Sequence, residues 1–497
     1  MKKLMALMLA ALMTLTACHA PETPDISGDP VPEQEQSVPE EIPFQLAVYD
    51  RYSLHPILAE NRANLALSGL LYEPLFALNE NFEAQAVLCE NWTVREDGLV
   101  WDFTLRTGIT FSDGTPLTGE IAAAALETAR QEPSRYASRL KGITALTGEG
   151  QRVTVTLDSP NGDLPALLDI PIPMDNSERP LGTGPYVLRE GAEGPVLTAR
   201  SDWWQGKRLP IGEIPLRSVS KSDELILSFE SGDVALVDVD LMGTNSLGYS
   251  GSYETWDYAT TAMLYLGFNT QSGLCRNAAL RQALALGIDR ESIAQVDFAR
   301  HAAAAALPVH PDSALYDAEA AQALTYDPEE LMSRLSGLAL SGRTLRLLVN
   351  SENAARVHAA ERIAQQLGWT GLEIRVEKLA FEDYTLALEK GDFDLYLAEV
   401  TLTADFDLSE LIMPGGALNF GGWSDPEAEQ LLARFRSGQG TLRAIHAKTL
   451  YEYLAQEVPI APICFKNGCV LTRWGRLSGL QPVRGNIFYH LDGWNIV

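Results

Sequence analysis

Between residues 344 and 401 the chain alternates apolar runs of two different periods, and this segment constrains the fold more than any other. Leu345, Leu347 and Val349 read as a strand, residues 354–367 as a helix stopped by Gly368, and Ile374, Val376 and Leu379 as a second strand. Residues 381–389 then read as a helix and residues 394–400 as a third strand. A strand–helix–strand–helix–strand order makes the helices crossovers between neighbouring strands, which predicts a largely parallel sheet in an α/β protein. Upstream, Asn277 is placed to cap a helix whose Leu280, Ala283, Leu284 and Ile288 share one face.

The remaining length suits several domains, since 497 residues exceed what one hydrophobic core usually organises. Net charge is −28, and a field of that sign repels phosphate backbones, so nucleic-acid binding is excluded as a function. A hydrophobic fraction of 46% with 21% charged residues is that of a globular chain, not of a polytopic membrane protein.

The N-terminus reads as an address. Lys2 and Lys3 precede an apolar run over residues 4–13, and Leu15-Thr16-Ala17-Cys18 follows. This resembles the lipobox of bacterial lipoproteins, which implies a signal peptide over residues 1–17 and lipidation of Cys18. Residues 18–42 hold Pro21, Pro24, Pro30, Pro32 and Pro39 among acidic residues with almost nothing large and apolar, the composition of a disordered tether. Residues 43–49 then alternate as a first strand.

Chemistry-bearing motifs are absent. Gly248-Tyr249-Ser250-Gly251-Ser252 misses the last glycine of a nucleophile elbow, and no phosphate loop or zinc-spaced pair occurs. The seven histidines are scattered, so no metal site is expected. Cys464 and Cys469 flank Asn467-Gly468, read as a hairpin turn; the pairing state of these two, Cys89 and Cys275 stays open. Leu67, Leu70, Leu71 and Leu75 read as one helix, residues 92–94 and 101–105 as strands joined by the Asp97-Gly98 turn, and residues 119–130 as a helix.

Tyr72-Glu73-Pro74-Leu75, Glu90-Asn91-Trp92 with Asp97-Gly98, and residues 111–117 (Phe-Ser-Asp-Gly-Thr-Pro-Leu) together resemble family 5 extracellular solute-binding proteins, the peptide- and nickel-binding components of ABC importers. Gly182-Thr183-Gly184-Pro185-Tyr186, Asp202-Trp203-Trp204-Gln205-Gly206-Lys207, Glu230-Ser231-Gly232-Asp233 and Leu266-Gly267-Phe268-Asn269-Thr270 extend the resemblance in the family's order. It implies a two-lobed periplasmic-binding-protein type II fold with an extra N-terminal domain and lobes joined by crossing strands. One lobe would comprise residues 43–65, 181–270 and 474–497, the extra domain 66–180, and the second lobe 271–473. It also implies a monomeric, non-enzymatic receptor without cofactor, lipid-anchored at the extracytoplasmic membrane face, that passes a small solute, foremost a peptide, to permease subunits.

Ligands of open parallel sheets lie beyond the carboxyl ends of the strands, here the loop 401–407. The resemblance assigns Asp405 to an Ala-Asp-aromatic step whose carboxylate pairs with a peptide α-ammonium, with Thr403 in the same loop. Relatives usually carry Trp where this chain has Leu402, and Asp-Pro where it has Asp407-Leu408. Asp407 reads instead as the cap of a helix from Leu408, with Glu410 completing a capping box. Glu60 and Arg62, in the segment after the first strand, Tyr265 and Asn269 at the crossover, and Asn419 complete the expected ligand contacts; Glu60 and Arg62 also read as plain surface residues. Trp203 and Trp204 read as structural. Competing functions are a receptor for a nickel chelate or other non-peptide solute, a lipid-anchored hydrolase using Asp405 and Glu60, and a sensor or adhesin that keeps the fold.

Overall fold

The computed structural model describes residues 44–497 apart from Glu96, Ala339, Ser341 and Trp369. The signal peptide, Cys18 and the tether read from the sequence lie outside the described residues. The alternating segment forms strand β4 (Thr344–Asn350), helix α1 (Ala354–Gly368), β5 (Glu373–Leu379), α2 (Phe381–Glu389) and β6 (Leu395–Thr401), within a residue or two of the periodicity. The same sheet takes in β1 (Leu236–Val239), β2 (Tyr253–Phe268), β3 (Ala302–Ala304) and β7 (Ile460–Arg473). Strand order is β1-β7-β2-β6-β4-β5, with β3 paired to β7.

Only β5, β4 and β6 run parallel. The expected largely parallel sheet is therefore mixed, because β2 enters it and β7 leaves it antiparallel to each other, and β2 is antiparallel to β6 as well. Leu345, Leu347, Leu348, Val349 and Leu395 of this sheet are fully buried, and Ala359, Ala360, Ile363 and Leu367 of α1 are as well. Each large apolar side chain so buried stabilises the fold by about 1.5–3 kcal/mol. Asn353 starts α1: its Oδ1 accepts the Arg356 N–H at 2.9 Å, while its Nδ2 donates to the Met242 carbonyl at 2.9 Å.

Asn467-Gly468 does not make the expected hairpin. β7 runs through it, Cys464 and Cys469 lie on one strand, and all four described cysteines are free and buried. The irregularity falls on β2, where Tyr258 opposes Gly468 and Ala262 opposes Lys466, so residues 259–261 bulge against Asn467. A Cβ on Gly468 would stand 2.1 Å from the Tyr258 ring, so the glycine serves this close approach and not a turn.

Two smaller sheets complete the body. Leu46–Val48 pairs parallel with Glu213–Ser218, which continues antiparallel to Gly194–Ala199 and Tyr186–Gly191. Cys89–Val94, Val100–Leu105, Arg152–Leu157 and Ile143–Glu149 form an antiparallel sheet, with the expected turn at Gly98 (φ 70°). The expected helix Gly119–Arg130 buries Ala122, Ala125, Leu126 and Ala129 in the same apolar core. The apolar run 67–75 is not one helix: Ser68–Leu71 is helical and the chain then extends, because Pro74 disfavours helical geometry at the residue before it.

Glu73, 5% exposed, accepts hydrogen bonds from Thr183 Oγ1 (2.9 Å), Trp203 Nε1 (3.2 Å), Trp204 Nε1 (2.7 Å) and Gln205 Nε2 (2.8 Å). Trp203 and Trp204 thus have the structural role read from the sequence. Removing the acceptor strands four donors, so Glu73→Ala should lower the unfolding free energy by about 3 kcal/mol or more, whereas Trp203→Phe, deleting one donor, should cost about 1 kcal/mol. Urea unfolding of both variants measures the two losses; equal losses would mean that the carboxylate is not the organising group.

Candidate functional site

Two cavities hold residues that the sequence singled out. The first, about 460 Å³, lies among residues 46–67, β1 and residues 243–249. Asn61 caps the short helix Arg62–Ala66, its Oδ1 accepting the Asn64 N–H, and this fixes where the Arg62 side chain departs. Arg62 grips Asp238 with two bonds, Nε to Oδ2 at 2.8 Å and a terminal nitrogen to Oδ1 at 3.1 Å, and Tyr258 donates to the same carboxylate at 2.8 Å. Two residues on, Asp240 accepts from Lys466 Nζ at 2.9 Å, and the same ammonium reaches Glu399 at 3.2 Å. A cation with little exposure shared between two carboxylates joins β7, β6 and the rim of this cavity.

The second cavity, about 590 Å³, lies between residues 138–167 and the loop that follows β6. This is the carboxyl end of a parallel strand, where the sheet geometry places a ligand. Phe406 adopts φ 52° and packs edge-on against Phe82, with ring centres 5.4 Å apart, so the loop is held by aromatic packing. Asp405 beside it is 3% exposed and lines the cavity. Its Oδ2 accepts from Asn161 Nδ2 at 2.9 Å, and its Oδ1 from the Asp407 N–H at 3.4 Å. No ion pair among the described residues includes the Asp405 carboxylate; Arg443 donates to its backbone carbonyl and lies 3.6 Å from Asp163.

Asn161 reaches this point because its turn packs against the end of helix Pro426–Ser437. The Gly162 N–H donates to the Arg436 carbonyl at 2.6 Å, and a Cβ there would meet the Gly438 carbonyl oxygen at 1.7 Å. Asn161 Oδ1 accepts the Asp163 N–H at 2.8 Å, which leaves its Nδ2 free for Asp405. Burial pushes the Asp163 carboxyl up to about 6, with Arg443 pulling down and Asp405 pushing up. Asp407 is raised by burial and by Asp405, against the pull of Arg436 at 3.2 Å. Thr403 Oγ1, also on the cavity wall, is buried with no partner.

The structure brings Thr403 and Asp405 to one cavity and Arg62 to the other. Glu60 is exposed and lines neither, so it does not face Asp405 across a shared site. Tyr265, Asn269 and Asn419 also line neither. Tyr265 is 1% exposed, edge-on to Tyr396. Asn269 donates to the Gly391 and Phe393 carbonyls and accepts two backbone N–H groups, while Asn419 bridges Met413 and Trp423. The helix starts at Ser409, one residue later than expected, so Leu408 and not Asp407 stands at its N-cap; Asp407 Oδ1 accepts the Ser409 N–H at 3.0 Å, and the capping box does not form because Glu410 accepts the Ala417 N–H instead. Asn161, Asp163 and Arg443 were not singled out by the sequence. Lys466 carried a signal, being a lone cation inside an apolar strand.

No helix among the described residues is long and apolar enough to cross a membrane. The family model described as bacterial extracellular solute-binding proteins, family 5 Middle, matches residues 83–414. The glutathione-binding protein GsiB of Salmonella paratyphi A is 25% identical over 344 residues, 65% of this chain and 67% of that one. The nickel-binding periplasmic protein of Escherichia coli is 24% identical over 257 residues, 45% and 47% of the two chains. Among solved structures, HbpA2 from Haemophilus parasuis superposes with a TM-score of 0.74 at 19% identity, over 92% of this chain and 99% of that one. A nickel ABC transporter structure from Bacillus halodurans gives 0.73 at 19% identity, over 90% and 98%. The fold is that of the type II periplasmic binding proteins.

The carboxyl cluster makes a pH prediction. Because Asp163 is raised above its ordinary 3.8, the folded protein holds a proton that the unfolded chain releases, and this contribution to stability is lost as pH rises through about 6. Wild type should therefore lose stability relative to Asp163→Asn between pH 4 and pH 7. Urea midpoints of the pair across that range test it; parallel curves would show that the carboxyl is not held protonated.

Proposed function

We propose, from the premise that the chain belongs to the bacterial extracellular solute-binding proteins of family 5, that it is a lipid-anchored receptor of an ABC importer and holds a short peptide by its α-ammonium. Members of this family are transport receptors without catalytic activity, and this chain is not an enzyme. On this reading residues 43–65, 181–270 and 474–497 form one lobe bearing the extra domain 66–180, residues 271–473 form the other, and the monomer hands its solute to permease subunits. Cys18 carries the lipid and residues 19–42 the tether.

The observation that carries the peptide reading is the Asp405 carboxylate, buried at a cavity wall with a neutral amide for partner. A buried carboxylate without a cation is costly, and an ammonium brought into the cavity would relieve that cost. Thr403 Oγ1, buried and unpartnered on the same wall, supplies a second polar contact. A relative named for glutathione, an ammonium-bearing peptide, agrees with this chemistry. No histidine lines either cavity among the described residues, which counts against a nickel chelate as solute.

Calorimetry with glutathione and trialanine, each free and N-acetylated, tests the assignment. Asp405→Asn should weaken binding of the free form by about 2–5 kcal/mol. N-acetylation should weaken the wild type similarly and add little in the variant, because both changes delete one contact. Equal losses in both backgrounds would make Asp405 a bystander, and binding of nickel–histidine but of neither peptide would move the assignment to a metal chelate. For the anchor, Cys18→Ala should release a folded protein from membranes into the soluble fraction; a variant that still sediments with membranes would remove Cys18 as the attachment point.

A further inference from the structure

Away from both cavities, the bulged ribbon of β2 and β7 gathers three unlike donor groups. Asp257 of β2 and Cys469 of β7 are directly opposed in the antiparallel ladder, which sets their side chains close together. His301 joins them from the loop after the π-helical turn Ile293–Asp297. That loop has Ala299 at φ 49° and Arg300 at φ 72°, two consecutive non-glycine residues in the left-handed region. The backbone fixes His301 on both sides: its N–H donates to the Phe298 carbonyl at 2.7 Å, and its carbonyl accepts the Asn467 N–H at 2.9 Å. Its Nδ1 lies 3.0 and 2.9 Å from the two Asp257 oxygens, while the Cys469 thiol donates to the Val470 carbonyl at 3.7 Å. Asn467 Nδ2 supports the same carboxylate at 3.2 Å.

The geometry points to a divalent transition-metal site formed by Asp257, His301 and Cys469. One ligand atom from each residue lies within 4.8 Å of the other two. Around a tetrahedral zinc ion with metal–ligand distances of about 2.0–2.3 Å, donor atoms stand about 3.3–3.7 Å apart, so closing the triangle asks for side-chain adjustments of an ångström or so. The donor set of one sulfur, one imidazole nitrogen and one carboxylate oxygen selects zinc and its neighbours over magnesium or calcium, which take oxygen ligands. Three protein ligands leave a fourth position for water. The His301 and Asp257 side chains are 18% and 28% exposed, so solvent reaches the group, whereas Cys469 is buried.

A nucleophilic triad from the same residue types is not formed. The His301 imidazole bonds the Asp257 carboxylate and the Cys469 thiol donates to the Val470 carbonyl, whereas activation of sulfur requires the imidazole hydrogen-bonded to it. A metal is held by the thiolate and not by the thiol. Binding therefore exchanges the thiol proton for the metal: the S–H bond breaks, a sulfur–metal bond forms, and one proton is released to solvent. Affinity accordingly falls as pH is lowered. With ligands from β2, from β7 and from the loop leading into β3, the ion ties the crossing ribbon to that loop, and no ligand comes from a cavity wall.

Cobalt(II) titrated into the chelator-treated full-length chain is the test, with zinc(II) as competitor. A near-ultraviolet thiolate-to-cobalt charge-transfer band should grow to one equivalent and be lost on adding zinc. It should vanish in Cys469→Ser and persist in Cys464→Ser, whose thiol is buried five residues away on the same strand. His301→Gln, at a partly exposed loop position, should bind cobalt more than about tenfold more weakly and lose the rise in melting temperature that zinc gives the wild type. Absence of the band in the wild type, its survival in Cys469→Ser, or unchanged cobalt affinity in His301→Gln would each overturn the site.

Discussion

The Glu73 carboxylate ties together stretches of chain that are more than a hundred residues apart in sequence. Thr183 donates to it from one stretch, and Trp203, Trp204 and Gln205 from another. All four donors are neutral, so the group is held by hydrogen bonds and not by ion pairing. Arg200, in the same region, donates to the carbonyls of Thr110 and Phe111 and so draws in a further turn. The residues Tyr72-Glu73-Pro74, Gly182-Thr183-Gly184 and Trp203-Trp204-Gln205 are those by which the sequence resembles its family. Their physical role is assembly of the body on which the two cavities are built, which is why they say much about fold and little about solute.

The second constraint is the β2–β7 ribbon. Its bulge opposite Asn467 and the bare Cα of Gly468 let Tyr258 lie flat across β7 and reach Asp238. Asp238 is also the anchor of Arg62, and Lys466 two residues before Gly468 holds Asp240 and Glu399. Polar groups of the first cavity are thus set by a backbone irregularity in the strands that connect the sheets. A residue inserted or deleted near Asn467 would flip the side chains beyond it to the other face of the ribbon.

Legibility in the sequence followed the range of the interactions. The alternating segment 344–401 was read almost residue for residue, since its periods reflect local geometry and its apolar faces are unambiguous. The end of β6 followed from it, and with it the place of Thr403 and Asp405. The Asn467-Gly468 turn was misread because hairpin or bulge depends on whether the strand across from it is long enough to carry the chain onward, and β2, some two hundred residues upstream, is. Tyr265 and Asn269 were read as exposed to solute because they stand near the crossover. A sheet covered on both faces buries such positions on either side, so alternation carries no information there. Asn161 reaches Asp405 across 244 residues of sequence and left only a turn signal behind.

The distribution of cations explains why one carboxylate stands out in a chain of net charge −28. Near the two cavities Asp238 has Arg62, Asp240 and Glu399 share Lys466, Asp407 has Arg436, and Asp163 faces Arg443. Asp405 has an amide. Had a lysine stood at position 161, the carboxylate would be satisfied from within, as Asp240 is by Lys466, and an incoming ammonium would have to break an ion pair to gain one. An amide supplies one hydrogen bond, enough to orient the carboxylate, and leaves it without an ion pair. If Asp405 is the ammonium contact, this arrangement suits a receptor that must also release its solute. On the proposed reading, binding turns on one exchangeable interaction at Asp405, on a wall that the aromatic packing of Phe406 against Phe82 holds in place.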